Sequence, residues 1–446
     1  MHHPLAVHHP LVRGAVRDPR SRHHGTRTHR RHLAVVRRCA AARPGRPLRT
    51  RGGGLVRSLD RQRWLLTASV VAAVLVVAGA LILFAGADPL VGLQGLVEGV
   101  SSSPYRVGEV LVGAVPIGIV ALTLIPALRA GVFSVGAEGQ IIVGAITATG
   151  AVFAIDQLFG GAAPSVVLWP VGLLAGAAGG GAMALLPAFL AVRWRVNEIL
   201  STLLLNYLAA GFLGWTLRTW LATPEETATP QSAKLPEAAA LPALIPGTRA
   251  HWGILLVIVI AVLVFLWNRS AASTRLTVFA TRPKLALRLG ATRSRTVYST
   301  MLVSGLGAGV VGWIQVAGVN DRLLNSVSGG VGFSGIAVAL LGGLAPIGIV
   351  LAALFFSALA AGAVGMQSAT GTVPASIAEV IKGVLLIGVA CIAAYQRNPA
   401  AVVRPVGTKD AADEPVVLSA EPPGTAGDHE TTIGTLAEAE NEGGRP

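Results

Sequence analysis

Long apolar runs separated by short polar segments fill the chain between residues 64 and 396. A helix needs about 20 apolar residues to cross the hydrocarbon core of a bilayer. Runs of suitable length therefore predict membrane-spanning helices at 64–86, 108–128, 137–155, 166–191, 198–220, 251–267, 297–317 and 376–395.

A further run, 333–366, is too long for one span and contains "GGLAP" at 342–346. Gly and Pro interrupt helix hydrogen bonding, so we expect a break there. The part before the break is too short for an ordinary span, which leaves either a short helix or a re-entrant hairpin. The pattern as a whole predicts an all-α polytopic membrane protein with about eight to ten transmembrane helices, including broken or re-entrant segments.

Composition supports this class. Hydrophobic residues make up 52% of the 446 residues and charged residues only 13%, and the mean hydropathy is +0.63. These values are far from those of an ordinary soluble domain. The 54 glycines suit close contact between helices in lipid.

Charge divides the chain into three parts. Residues 1–63 hold 16 Arg, few aromatic residues and no periodic apolar pattern, so we expect a basic, His/Arg-rich, disordered cytoplasmic arm. Binding of nucleic acid, anionic lipid or metal by this arm is an alternative, as is a start codon chosen too far upstream; we assign no nucleic-acid partner. Residues 64–396 form the transmembrane domain, and 397–446 an acidic, disordered cytoplasmic tail.

Basic residues in short loops set the orientation. Loop 268–296 contains seven Arg and Lys and no acid, whereas loop 222–250 is rich in Pro and has more acids than bases. The positive-inside rule therefore places 268–296 and both termini in the cytoplasm. Within this loop, "PKLALRLGA" predicts one short helix that follows Pro283 and ends at Gly290. It either lies on anionic lipid or docks a cytoplasmic partner.

Polar residues interrupt the apolar pattern at "GVFSVGAEGQIIVGA", residues 131–145. A carboxylate is costly at membrane depth, so Glu138 either lines a path or caps a broken helix without touching a solute. Ser134 and Gln140 flank it. For Asn206, in the predicted run 198–220, interhelical hydrogen bonding is favoured over contact with a ligand.

Enzymatic chemistry finds no support in the sequence. No G-x-S-x-G, no H-E-x-x-H and no Gly-Lys-Ser/Thr phosphate loop occurs. We therefore expect no catalytic residues, no cofactor and no metal site. If solute movement is driven by ATP, the ATPase is another chain.

Four segments in order resemble the membrane subunits of bacterial ABC importers of the nucleoside and simple-sugar permease family. They are "RAGVFSVGAEGQ" (129–140), "NEILSTLLLNYLA" (197–209), "TRPKLALRLGA" with the following "SGLGAGVVG" (304–312), and "GVGFSGIAVALLGGLAPIGI" (330–349). The resemblance runs from about 108 to 395. Ser134 stands where the family pattern has Asn, and Arg282-Pro283 where it has Asn-Pro.

The resemblance implies a type II ABC importer-like fold in the bacterial cell (inner) membrane and a permease without its own ATPase. It also implies as partners a second homologous permease subunit, cytoplasmic ATP-binding subunits and an extracytoplasmic lipoprotein that delivers nucleosides or related simple sugars. The implied substrate-path residues are Ser134, Glu138, Gln140, Asn206 and Phe333. The implied ATPase-coupling residues are Arg282, Pro283, Lys284, Ala286, Arg288 and Gly290.

Three alternatives remain open at the level of sequence. One is a monosaccharide permease of the same family. Another is a secondary transporter in which Glu138 or Glu379 couples transport to an ion. The third is a membrane scaffold without transport activity, which the polar residues at membrane depth disfavour.

Overall fold

The computed structural model describes residues 79–223 and 229–374, together with isolated positions in 72–77 and 376–388. Most of the predicted spans 64–86 and 376–395 lies outside the described residues, as do the arm 1–63 and the tail 397–446. The boundaries and disorder predicted for the two termini therefore stay predictions.

The described residues are helical, with loops between the helices. The helices are α1 (Pro89–Ser101), α2 (Pro104–Arg129), α3 (Ala137–Leu158), α4 (Ser165–Arg193), α5 (Glu198–Thr216), α6 (Gly253–Asn268), α7 (Ala271–Thr281), α8 (Pro283–Arg288), α9 (Arg293–Ile314), α10 (Val331–Leu341) and α11 (Pro346–Thr370). A π-helical turn, Gln315–Asn320, continues α9. Side-chain caps begin several helices, as Asn197 does for α5 by accepting from the amides of Ile199 and Leu200.

Six described helices are long and apolar enough to cross a membrane: α2, α3, α4, α5, α9 with its extension, and α11. The pair α6–α7, bent by 70°, makes a seventh if it counts as one span. The all-α polytopic class is confirmed, and each predicted interior run corresponds to a helix.

The predicted break at 342–346 is also confirmed. α10 ends at Leu341 and α11 begins at Pro346. Between them Gly343 has φ +63° and Leu344 φ +58°, a conformation that ends a helix. With 11 residues α10 is only about 16 Å long, roughly half of the hydrocarbon thickness. Because it is too short to cross alone, α10 is a half-helix whose first turn lies within the protein.

α2 forms the centre of the bundle, with 89% of its most apolar window buried. Its residues Ile119, Ala121 and Leu122 are fully enclosed in the main core, which also takes side chains from α9, α10 and α11. α4 and α9 approach closely through Gly176 and Gly309, where a Cβ on either would meet the backbone of the other helix. This contact follows the small-residue packing expected in lipid.

The sequence pattern gave no indication of α1. This 13-residue helix lies against α11, and Gly95 and Gly99 face Gly362 and Gly365 across the contact. A helix of this length cannot span a bilayer, and glycines do not contribute to a hydrophobic run, so periodicity alone could not reveal it.

Residues 229–252, which lead into α6, are called the cover segment. Its backbone pairs with the end of α9: Ser232 N donates to Leu323 O (3.0 Å), and Leu241 N donates to Ala317 O (2.9 Å). Near its end, the buried His251 ring lies between Gly253 and Gly318, where Cβ atoms would crowd it. The cover segment therefore closes one end of the bundle.

Candidate functional site

The junction between α2 and α3 is a short non-helical stretch inside the bundle. Residues 131–136 leave the helical conformation, with Gly131 at φ +73°, and α3 starts at Ala137. Ser134, Glu138 and Gln140 on this stretch are buried, with exposures of 3%, 6% and 2%. The stretch falls in the gap between the predicted spans 108–128 and 137–155, and protein surrounds its buried residues, as irregular backbone at membrane depth requires.

Glu138 caps a helix that lies 194 residues further along the chain. Its Oε1 accepts from Gly332 N at 2.7 Å and from Phe333 N at 3.3 Å. These amides belong to the first turn of α10, where backbone N–H groups have no intrahelical acceptor and the helix dipole favours a negative charge. The geometry is that of the capping alternative predicted for Glu138.

Gly332 allows this contact. A Cβ at residue 332 would lie 2.5 Å from Glu138 N and 2.9 Å from Ala137 C, so any side chain would push α10 away from α3. The first turns of both helices thus meet at one carboxylate. Gly332 was not singled out from the sequence as a residue of this junction, although it lies in the quoted segment "GVGFSG".

Asn206 of α5 holds the other side of the junction. Its Oδ1 accepts from Gly139 N at 2.9 Å, and its Nδ2 donates to Val135 O at 2.9 Å. Thr202, one turn earlier, accepts from Val135 N at 3.3 Å. The side-chain amide therefore satisfies one donor and one acceptor that the broken backbone leaves free, which is the interhelical hydrogen bonding favoured for this residue.

The remaining predicted path residues differ in exposure. Ser134 Oγ accepts from Gly136 N at 3.4 Å. Gln140 Oε1 is buried without a hydrogen-bond partner among the described residues, an arrangement that calls for an explanation in a folded protein. Phe333 is 49% exposed and approaches the junction through its backbone. Four of the five predicted residues therefore lie at the junction as buried side chains. The fifth, Phe333, has an exposed side chain.

The predicted docking helix forms as α8. Pro283 stands in its first turn, and Gly290, at φ +79°, follows its end. Ala286 is fully buried, whereas Arg282, Lys284 and Arg288 are exposed. Three leucines are exposed as well: Leu285, Leu287 and Leu289. The helix therefore presents both cations and apolar side chains outward.

Sequence analysis missed α7 and the contact that joins it to the bundle. Arg129, at the end of α2, donates from Nη1 to Ser273 Oγ of α7 at 2.5 Å and from Nη2 to Leu344 O at 3.4 Å. One guanidinium thus connects the helix before α8 with the break between α10 and α11. Arg129 is the first residue of the quoted segment "RAGVFSVGAEGQ", so the sequence did draw attention to this position but not to its contacts.

Metal chemistry finds no support in the described part of the chain, where no group of three or more His, Cys, Asp or Glu could hold an ion.

Comparison with known proteins identifies the family. The family described as "Branched-chain amino acid transport system / permease component" matches residues 106–390. The guanosine ABC transporter permease of Bacillus subtilis (strain 168) is 30% identical over 317 residues, which is 70% of this chain and 89% of the relative. The glucose ABC transporter permease of Haloferax volcanii is 30% identical over 71% of this chain and 84% of the relative. The nucleoside ABC transporter permease of Lactococcus lactis is 26% identical over 70% and 86%.

No solved structure matches the chain. The family match begins in the first turn of α2 and includes the α2–α3 junction, α8 and the α10–α11 break. This chain therefore belongs to the branched-chain amino acid transport system permease family of ABC transporters.

Proposed function

We propose that this chain imports nucleosides or related simple sugars that an extracytoplasmic lipoprotein delivers, by opening and closing a path beside the α2–α3 junction. The observation that carries the proposal is the meeting of the α3 and α10 first turns at Glu138, in a chain whose relatives include permeases named for guanosine, nucleosides and glucose. A monosaccharide is the second candidate substrate, because of the glucose permease among them.

The chain is a multi-pass membrane protein and the permease component of an ABC importer of the nucleoside/sugar branch, so it has no ATPase activity of its own. This role implies ATPase and binding-protein partners. For the assembly, we propose a second, similar permease subunit and ATP-binding subunits that dock on α8 in the bacterial cell membrane.

The proposed mechanism starts at α8. Its exposed leucines and cations suit contact with a partner protein. Movement of α8 displaces α7, which precedes α8 in the sequence and contacts it. Arg129 transmits this displacement to the backbone at Leu344, in the break between α10 and α11. Because Glu138 joins α10 to α3, a shift of α10 changes the junction.

Roles at the junction are assigned from the hydrogen bonds that each side chain already makes and, for Phe333, from exposure. Glu138 and Asn206 hold the two helices and the broken backbone in place. Phe333, with its exposed ring, and Ser134 and Gln140, with hydrogen-bonding capacity left over, are the residues proposed to contact the solute. Few contacts suffice, since the binding lipoprotein selects the solute before it reaches the permease.

The test is uptake by proteoliposomes that contain this permease with its ATPase and binding-protein partners. Labelled guanosine, uridine and glucose are compared with and without ATP inside. ATP-dependent accumulation of a nucleoside supports the proposal, and accumulation of glucose alone selects the second candidate. Accumulation by the permease alone, driven by a proton or sodium gradient, would contradict the proposal and favour an ion-coupled transporter.

A further inference from the structure

A groove of about 580 Å³ opens on the side of the bundle between α2, α6, α7 and α9. Its volume is within the range of small-molecule sites, about 300–1,000 Å³. Leu122 and Pro126 of α2 and Leu263 of α6 form part of an apolar wall. None of the proposed path residues lines it, so it is separate from the α2–α3 junction.

The α9 wall changes from polar to apolar along one face. In order it presents Arg295, Ser299, Val303, Leu306 and Val310 to the groove. These positions recur every three or four residues, the spacing of one helix face, and span about 22 Å. The apolar part, Val303 to Val310, extends about 11 Å, which fits within one leaflet of hydrocarbon, about 15 Å thick.

The polar end of the groove carries two arginines without acidic partners. Arg275 of α7 and Arg295 of α9 both line it and are exposed, and neither forms an ion pair with any described residue. The surrounding loop 268–296 has no acid. Trp267, which also lines the groove, stands at the last turn of α6, and Trp is enriched where a helix leaves the hydrocarbon. The groove thus runs from the membrane–water interface into the apolar layer.

We propose that this groove binds an anionic phospholipid, with one acyl chain against α6 and α9 and the phosphate between Arg275 and Arg295. Guanidinium groups bind phosphate through paired, charge-assisted hydrogen bonds, and basic pockets at the ends of transmembrane helices recognise anionic headgroups. A lipid therefore matches both ends of the groove at once.

Other possible ligands, a transported solute or a soluble anion, would suit only the polar end of the groove. Nucleosides and sugars carry hydroxyl and amide groups along their whole length, which the apolar wall would leave unpaired. A soluble anion would use the arginines and leave the apolar wall in contact with water. Leu263, Val303 and Leu306 of the wall are themselves exposed, as lipid-contacting side chains are.

The experiment measures thermal unfolding of the purified permease complex in dodecyl maltoside to which phosphatidylglycerol or phosphatidylcholine is added. Binding to the native state raises the unfolding midpoint. We expect phosphatidylglycerol to raise it more than phosphatidylcholine, and the double variant Arg275→Gln/Arg295→Gln to require about tenfold more phosphatidylglycerol for the same shift.

The matched control is Arg193→Gln/Arg293→Gln, which removes the same charge at exposed positions that do not line the groove. It should respond as the unaltered protein does. Equal shifts with both lipids, or the same loss of response in the control pair, would overturn the proposal. So would an equal shift from glycerol 3-phosphate, which would show a site for a free anion, or displacement of the lipid by the transported solute.

A second measurement uses the unaltered complex and does not depend on a variant that folds. Phosphatidylglycerol with a photoactivatable diazirine on its acyl chain is irradiated with the complex, and labelled peptides are sequenced. Labelling concentrated on residues 299–310 and 260–264 supports the site. Labelling spread evenly over all lipid-facing helices, or absent from these peptides because a second subunit covers them, would refute it.

Discussion

At the α2–α3 junction, Glu138 faces the amides of α10, whereas Asn206 faces the backbone of residues 135–139. The sequence identifies both residues, because a carboxylate and an amide stand out in apolar runs. It does not identify what they contact, since Glu138 and Gly332 are 194 positions apart. The spacing of residues in the sequence predicts which side chains share a face of one helix. It does not predict which helices pack together, so these contacts could be identified only from the structure.

The first prediction concerns these two side chains. Glu138→Ala leaves the α10 amides without an acceptor, and Asn206→Ala leaves Gly139 N and Val135 O unpaired, each loss costing about 1–3 kcal/mol of stability. We expect both variants to assemble with their partners, to unfold at lower temperature and to take up solute at a lower initial rate. Glu138→Gln, which keeps an oxygen for one amide, should lie between Glu138→Ala and the unaltered protein.

Tyr207→Phe, an exposed change next to Asn206, serves as the control and should transport normally. Normal uptake by both alanine variants would remove Glu138 and Asn206 from the proposed site.

The second prediction concerns His251. Burial, and secondarily the nearby Arg249 guanidinium, lower the pKa of His251 from 6.5 to about 4. Arg249 in turn lies 3.5 Å from the carboxylate of Glu109. Between these pKa values the unfolded chain binds a proton that the folded one does not, so stability falls as pH decreases. From about pH 7.5 to about pH 5 the loss is about 2 kcal/mol.

The measurement is the thermal midpoint of the complex across this pH range. His251→Gln, which retains an acceptor for Gly253 N, should lose part of the pH dependence. An unchanged slope in this variant would mean that other groups cause it.

Among the helices and loops, the sequence predicted those that are marked by a long apolar run or by helix-breaking Pro and Gly residues. The break at 342–346 and α8 were both predicted, because Pro and Gly impose local geometry whatever surrounds them. α1 and α7 were not. α1 packs through glycines, and α7 is amphipathic only in part and follows α6 across a 70° bend. Such helices are stabilised by neighbours that the local sequence does not specify.

The third prediction tests α7 as a transmission element. Arg129→Gln removes the guanidinium group that donates to Ser273 Oγ and to the Leu344 carbonyl. Arg129→Lys keeps the positive charge but lacks the two separate guanidinium nitrogens that make these hydrogen bonds. We expect both variants to retain ATP hydrolysis by the assembled complex while solute uptake per ATP falls severalfold. Arg193→Gln, at the end of α4, is the control and should leave this ratio unchanged.

A parallel fall in hydrolysis and uptake, with their ratio preserved, would show that Arg129 supports assembly and does not transmit movement.

At the scale of the whole molecule, the predictions depend on which side of the membrane carries α8. Seven basic residues in loop 268–296 predict that α8 lies in the cytoplasm, and the cover segment is then predicted to lie outside. The fourth prediction replaces Cys39 and Cys391 with Ser and adds Lys284→Cys in α8 or Leu244→Cys in the cover segment; both positions are exposed. A membrane-impermeant maleimide should label residue 244 on intact cells and residue 284 only after the membrane is opened, because a charged reagent cannot cross the hydrocarbon. Labelling of residue 284 on intact cells would place α8 outside, beyond the reach of an ATPase that uses cytoplasmic ATP, and the proposed coupling could not operate.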